Sequence, residues 1–421
     1  MEKRRVVITG MGVIAPNGIG IDNFWDSLVH ARSAVRRITR FDASSYPCQV
    51  AAEVPAFDPT NYMAPKTAKR LARFGQFALT AARMAVEDSR LDVYSIDPYT
   101  IGVIIGTGIG GGDWSENQHV IFMEKGLNRV SPLTAQMICT HSAVGIVSCE
   151  LGLKGPNTTI SSACNSGLDA ICSAYNAIRL GDADIMIAGA GEAPITPYIV
   201  GLFCAAGILS KENKEPQEAL KPFDIAADGI VLGEGGAALL LEELQSAVRR
   251  RARIYAEISG YASGNESYDM FEKDPSGETG SVVMKKALEN ASVKRGEVDY
   301  INAHGNAQPE FDLHETFAVK KAFGELAYQI PVTSIKPITG QCFALTGVLQ
   351  MITSVLAINN NVIPPTTNHV NPRPNCDLDY VPNHFRRSEV NIALVNAMGF
   401  GGSDTVVIIR KNGYLNQKNR G

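Results

Sequence analysis

The chain has 421 residues, 45% hydrophobic and 19% charged, with a formal net charge of −4. That length suits two packed halves better than one simple core, and the apolar content excludes bulk disorder. The negative balance argues against broad nucleic-acid binding while leaving room for a local basic patch.

The first apolar run, "RVVITG" (5–10), is short, ends at glycine and has no cleavage-site pattern behind it. It reads as the opening strand of a domain rather than a signal peptide. A helical pattern follows over 66–88. Strands are then expected at 100–108, 157–163, 183–191 and 236–244, with a helix over 165–180 between them. A second set follows: strands at 253–262, 298–305, 330–337, 390–399 and 404–411, and helices over 279–292, 311–325 and 345–357. The segment 263–280, "SGNESYDMFEKDPSGETG", reads as a long surface loop. The strands are continuously apolar rather than alternating, which points to a sheet buried on both faces and a layered α/β fold. "RRVVITGMGVIAPNG" and "ARIYAEISGYASGNE" each begin a half with a strand and a glycine turn, so the chain divides into 1–252 and 253–421. No stretch has the length of a membrane span. The eight cysteines show no CxxC pair and no regular spacing, which disfavours structural zinc, any other metal site and a disulfide framework. A reduced, cytoplasmic protein is expected.

One cysteine stands apart. In "TTISSACNSGLDAICSAYNAIRL", Cys164 follows a β-branched run and precedes an amphipathic helix. Free backbone N–H groups and the positive dipole end at that corner favour a thiolate. Ala163, Asn165, Ser166 and Gly167 leave room for an incoming acyl group. Taken alone, such a residue is either a small core cysteine, as Cys172 is, or a nucleophile. Three further strand ends carry glycine turns: His304 and Gly305 after 298–303, Lys336 and "ITG" after 330–335, and "GFGG" (399–402) after 390–398. Ligands of α/β sheets bind at such ends, and these four are expected to converge on one pocket. The run "GTGIGG" (106–111) also fits a dinucleotide fingerprint. No acidic residue closes a following strand at the required distance, so its glycines are read as close backbone packing.

Eight segments occur in a familiar order: "VVITGMGVIAPNG", "GTGIGGG", "GPNTTISSACNSGLDAI", "GDADIMIAGAGEA", "KPFDIAADGIVLGEGGAALLLE", "NAHG…P…D…E", "SIKPITG" and "GFGG". On these the chain resembles the β-ketoacyl synthases of the thiolase superfamily, elongating class, from residue 4 to about 411. The resemblance implies a five-layer αβαβα fold of two similar halves. It also implies a decarboxylative condensation of a cysteine-bound acyl group with a malonyl unit, in fatty-acid or polyketide synthesis. Cys164 resembles the nucleophile, and its N–H with that of Phe400 the oxyanion hole. Phe400 would also gate the pocket. His304 matches the histidine that assists decarboxylation, and Lys336 with Glu315 a buried structural pair. Ile109 and Phe203 match acyl-pocket positions; Asn306, Gln308 and Gly401 match substrate-contacting positions. No cofactor is implied beyond the phosphopantetheine of the carrier protein that bears the substrates.

The family's second histidine is absent: Gln341 stands there in "KPITGQC". Asn306 and Gln308 replace two family threonines, Asp404 an asparagine and Ala227 an arginine. An amide at 341 still donates a hydrogen bond, so it either serves the enolate or marks a chain that only accepts or passes acyl groups. On the first reading, acylation of Cys164 does not need residue 341. The expected partners are an acyl carrier protein, met by the basic residues Lys66, Lys69, Arg70 and Arg73, and a second synthase-like subunit, identical or not. A non-catalytic partner subunit is the competing reading.

Overall fold

The computed structural model describes residues 4–414. Ten strands build the core. The first five are β1 (Val6–Ala15), β2 (Ile101–Gly106), β3 (Asn157–Ile160), β4 (Ile185–Glu192) and β5 (Gly235–Glu243). They lie in the order β3-β2-β4-β5-β1, with β3, β2 and β4 parallel and β4, β5 and β1 antiparallel. The second five are β6 (Ala256–Asn265), β7 (Tyr300–Asn302), β8 (Val332–Thr333), β9 (Ile392–Met398) and β10 (Ser403–Arg410). Their order, β8-β7-β9-β10-β6, repeats the same senses strand for strand. The opening strands of the two sets pair with each other, Val6 opposite Ile258, Val7 opposite Glu257 and Ile8 opposite Ala256, which joins the sheets edge to edge.

Helices α1 (Arg73–Ser89) and α2 (Ser142–Leu151) cover the outer face of the first sheet. Helices α4 (Glu278–Ala291) and α5 (Pro309–Phe323) cover that of the second. Between the sheets lie α3 (Ser166–Leu180) and α6 (Leu345–Asn360), packed on each other and on both sheets. Every residue of α6 from Leu345 to Ile358 is buried, as a helix in a middle layer must be. The result is the five-layer αβαβα arrangement expected from the sequence. Among the described residues, no helix is long and apolar enough to cross a membrane.

Several expected elements differ. The helix over 66–88 is two pieces, Pro65–Ala68 and α1, because Ala72 is extended at φ −63°, ψ 153°. The strands expected at 298–305 and 330–337 shrink to β7 and β8, which frees His304 and Lys336 from the sheet. The loop over 263–280 is only partly a surface loop. Its start continues β6 to Asn265, and the side chains of Glu266 and Lys273 are buried in an ion pair.

Candidate active site

Cys164 sits four residues beyond β3 and two before α3, with Ala163 in the left-handed region at φ +61°. The Ser166 hydroxyl fixes this corner, accepting from the Ser162 N–H at 2.8 Å and donating to the Ala163 carbonyl at 2.6 Å. The backbones around it approach closely. A Cβ on Gly106 would lie 2.4 Å from the Ser166 carbonyl oxygen, and one on Gly167 would lie 2.2 Å from that of Ala344. The second approach brings the segment before α6 against the Cys164 corner. In "GTGIGG", Gly106 and Gly111 serve close backbone packing, against Ser166 and Met137.

Across that contact the Gln341 side-chain amide donates to Cys164 Sγ at 3.3 Å, while its Oε1 accepts from the Thr346 hydroxyl at 3.4 Å. Both Cys164 and Gln341 are buried. Burial pushes the Cys164 thiol up to about 11, against smaller opposing effects of Lys336 and of the Gln341 hydrogen bond. The expectation that the helix end alone favours a thiolate is corrected here. Desolvation dominates, and the Asp169 carboxylate occupies the first turn of α3. Cys164 is therefore a thiol, and the amide at 341 touches it directly.

His304 is buried just past β7. Its Nδ1 accepts the Met398 N–H at 3.2 Å, which assigns the ring the Nε2–H tautomer. That Nε2 is buried with no hydrogen-bond partner. Burial, then the positive charges of Lys336 and Lys273, hold His304 well below the ordinary imidazole range, so it is neutral. The ring is thus a neutral donor without a partner. Its backbone is held by Glu315 on α5, which accepts the N–H groups of His304 at 2.7 Å and Gly305 at 2.8 Å, and also the Asn396 amide. Lys336 Nζ donates to the His304 carbonyl oxygen. Burial lowers Lys336 to about 8, with Glu315 working the other way.

Asn306 and Gln308 bond each other: Asn306 Nδ2 donates to Gln308 Oε1, and the Gln308 N–H to Asn306 Oδ1, both at 3.0 Å. Phe400 is half-buried and meets Phe311 edge-on at 5.6 Å. Its neighbours Gly399 and Gly401 donate to the carbonyls of Ser403 and Met270 at 2.9 and 3.1 Å. Ile109 and Phe203 pack in one apolar cluster with Cys164, and Phe203 faces Phe343 at 5.1 Å. Lys66, Lys69 and Arg70 are exposed on the short helix and the turn after it. Arg73 does not join them. Its guanidinium is paired with buried Glu234 at 2.7 Å and lies 4.5 Å over the Phe77 ring, so it is a packing residue of α1 and is withdrawn from the basic face.

Sequence reasoning missed two residues at this site. Glu192, at the end of β4, is fully buried and accepts the N–H groups of Gly108, Ile109 and Ala344. Desolvation raises it to about 7. Its signal was the acid closing "IMIAGAGEA", a carboxylate at the tip of a buried strand. Phe343 was hidden because its place beside Phe203 depends on its left-handed backbone, φ +47°.

A buried thiol at a strand-to-helix corner, bonded by an amide from the repeated half and sharing the charge of Lys336 with a buried neutral histidine, is a site suited to thioester acyl transfer. The chain belongs to the β-ketoacyl synthase family. The model of the family's N-terminal domain matches residues 3–247 and that of its C-terminal domain residues 255–370. It is 43% identical over 411 residues to the 3-oxoacyl-[acyl-carrier-protein] synthase 2 of Coxiella burnetii, covering 98% of this chain and 99% of that protein. It is 41% identical to the synthase of the same name from Synechocystis, again over 98% and 99%. Among solved structures, it is similar to the ketosynthase complex AntDE:AntF, a type II polyketide synthase with its acyl-carrier protein. There the TM-score is 0.90 at 34% identity, covering 97% of this chain and 99% of that one. The ishigamide ketosynthase/chain length factor matches with TM-score 0.92 at 31% identity, over 98% and 100%.

Proposed function

We propose that this chain is a 3-oxoacyl-carrier-protein synthase that condenses a Cys164-bound acyl group with a malonyl unit. The observation that carries the reading is that Cys164 and Gln341 lie in hydrogen-bond contact, while Lys336, which donates to the carbonyl of His304, acts on both Cys164 and the His304 ring, whose Nε2–H has no partner. In the first half-reaction the Cys164 sulfur attacks the acyl thioester and gives up its proton. The S–C bond forms, and the pantetheine sulfur leaves as a thiol. In the second, the malonyl C–CO₂ bond breaks and its electron pair remains on the α-carbon, with charge spread onto the thioester oxygen. That oxygen takes the hydrogen bonds of His304 Nε2–H and Gln341 Nε2. The carbanion then attacks the acyl carbonyl, and the Cys164 sulfur departs.

The direct amide–sulfur contact revises one expectation. Residue 341 is not needed for the carbanion alone; it also donates to the sulfur during acylation. Once the sulfur is acylated it becomes a poor acceptor, which releases the amide for the malonyl carbonyl. Ile109, Phe203 and Phe343 line the acyl pocket. Asn306, Gln308 and Gly401 flank the path of the pantetheine arm, and Phe400 closes it. Lys66, Lys69 and Arg70 form the docking face for an acidic carrier protein. The halves 1–252 and 253–421 supply the nucleophile and the donors respectively. Among the described residues strand β3 is paired on one side only, and Phe122, Met123 and Leu127 are exposed apolar residues of the same half. This supports a dimer through that edge, with an identical or a related subunit. A cytoplasmic location fits these partners.

Intact-mass analysis after incubation with acyl-carrier protein tests the reading. An acyl adduct is expected on Cys164, absent in Cys164→Ala, and consumed on adding malonyl-carrier protein. No adduct with any acyl length overturns it. An adduct that malonyl-carrier protein never consumes, even with a candidate partner subunit, assigns the chain to acyl transfer alone.

A further inference from the structure

Beside the site, and outside the catalytic set, lies a buried ionic cluster. Lys273 is 1% exposed and is paired with Glu266; Asp404 Oδ1 lies 3.5 Å from its Nζ. His314 Nε2 approaches Glu266 at 3.5 Å and Asp404 at 3.9 Å. Glu266, His314 and Asp404 have donor atoms close enough to surround a cation, and the Lys273 ammonium stands among them. The His314 Nδ1–H is committed to the Asp274 carbonyl at 2.6 Å.

Two contacts tie this cluster to the reaction. Lys273 Nζ lies 5.0 Å from the centroid of the Phe311 ring, a cation–π contact in a dry setting. The same ring sits 6.1 Å from His304 and 5.6 Å, edge-on, from Phe400. The cluster also anchors the gate. Asp404 lies two residues beyond "GFGG", the Glu266 N–H donates to the Gly402 carbonyl at 2.9 Å, and Glu266 Oε2 accepts the Asp274 N–H at 2.8 Å.

We propose that Lys273 is a positioning residue for decarboxylation. Its buried ammonium, held by Glu266 and Asp404, fixes Phe311 between His304 and Phe400 and keeps a positive charge behind the His304 ring. The reason lies in the Met398 contact. A second proton on His304 would put an N–H on Nδ1 facing the Met398 N–H, donor against donor, and would turn the ring away. A nearby cation opposes that proton. The groups around His304 are Lys336 on its carbonyl, Glu315 on its N–H, Cys164 with Lys336 across the site, Asp312 under the Asn306 backbone, and Lys273 behind Phe311. Lys273 and Lys336 are the cations among them, and Lys273 is the one not bonded to the histidine's own backbone.

This inference rests on the condensing reading, so its test has an arm that does not. In the intact protein, the titration of His304 is followed by NMR of labelled histidine, with His304→Gln assigning the signal. Lys273→Met should raise the His304 midpoint by at least about one pH unit, and Lys273→Arg should hold it at the wild-type value. Lys273→Gln, whose amide still donates to Glu266, is the second neutral variant should the methionine fail to fold. In the kinetic arm, the acidic limb of the pH profile for condensation should move to higher pH by the same amount in the neutral variants and return in Lys273→Arg. An unmoved midpoint, or a rate lowered equally at every pH, overturns the proposal. A moved midpoint in a protein that never condenses upholds the role of Lys273 and overturns the condensing reading.

Discussion

The two halves share one strand order and put opposite chemistry at equivalent strand ends. After β2, β3 and β4 the first half presents Ile109, Cys164 and Glu192. After β7, β8 and β9 the second presents His304, Gln341 and Phe400. Under the proposed function the first half carries the thiol and most of the apolar cluster around it, and the second supplies neutral donors and a gate. Duplication of a scaffold gives the positions; the side chains at the strand ends divide the labour.

Mutations that strike one half at a time should separate the half-reactions. Cys164→Ala should show the largest effect: no acyl adduct by mass, and condensation lowered by about 10⁴-fold or more. His304→Ala comes next, lowering condensation about 10²–10³-fold while the adduct still forms. Loss of the adduct there would place His304 in acylation and blur the division. Gln341→Ala should slow both steps, acylation about tenfold and condensation about 10²-fold, because its amide bridges the halves. Acylation at the wild-type rate would show that the contact with Cys164 is idle. Replacing Lys66, Lys69 and Arg70 together with alanine should raise the KM for carrier protein about tenfold at low salt, with the difference shrinking as salt is added. Equal KM values would remove the docking face from this surface.

The smallest effect concerns Glu192. Its folded value of about 7 exceeds the usual 4.5, so its contribution to stability is present below about 4.5 and is lost as pH rises through 7. Glu192→Gln carries no such dependence. Between pH 5 and pH 8 the Tm difference should therefore move in the variant's favour. A constant difference by calorimetry would refute the raised carboxyl.

Much of this was legible in the sequence because it is local. Strand, glycine turn and helix announce the Cys164 corner, and "NAHG" and "GFGG" mark strand ends in the same way. The helix expected over 345–357 is α6. What stayed hidden depends on partners distant in sequence. Arg73 reads as one more basic residue until Glu234 is folded against it. Lys273 reads as part of a polar loop until Asp404 and Glu266 enclose it. The thiol's protonation follows from burial among residues distant in sequence, from Val35 to Phe343, which no spacing around Cys164 reports.

The close approach of Gly167 to the Ala344 carbonyl has a consequence for how such an enzyme diversifies. The spacing of Cys164 and the Gln341 amide is set where α3 meets the backbone just before α6, not by adjustable side chains. A lineage exploring new substrates has no slack at that point, since a single added methyl group there collides with main chain. Novelty has to enter from the periphery, through the size of Ile109, Phe203 and Phe343. Libraries aimed at longer or bulkier acyl groups should concentrate diversity at those three positions and leave the helix crossing untouched.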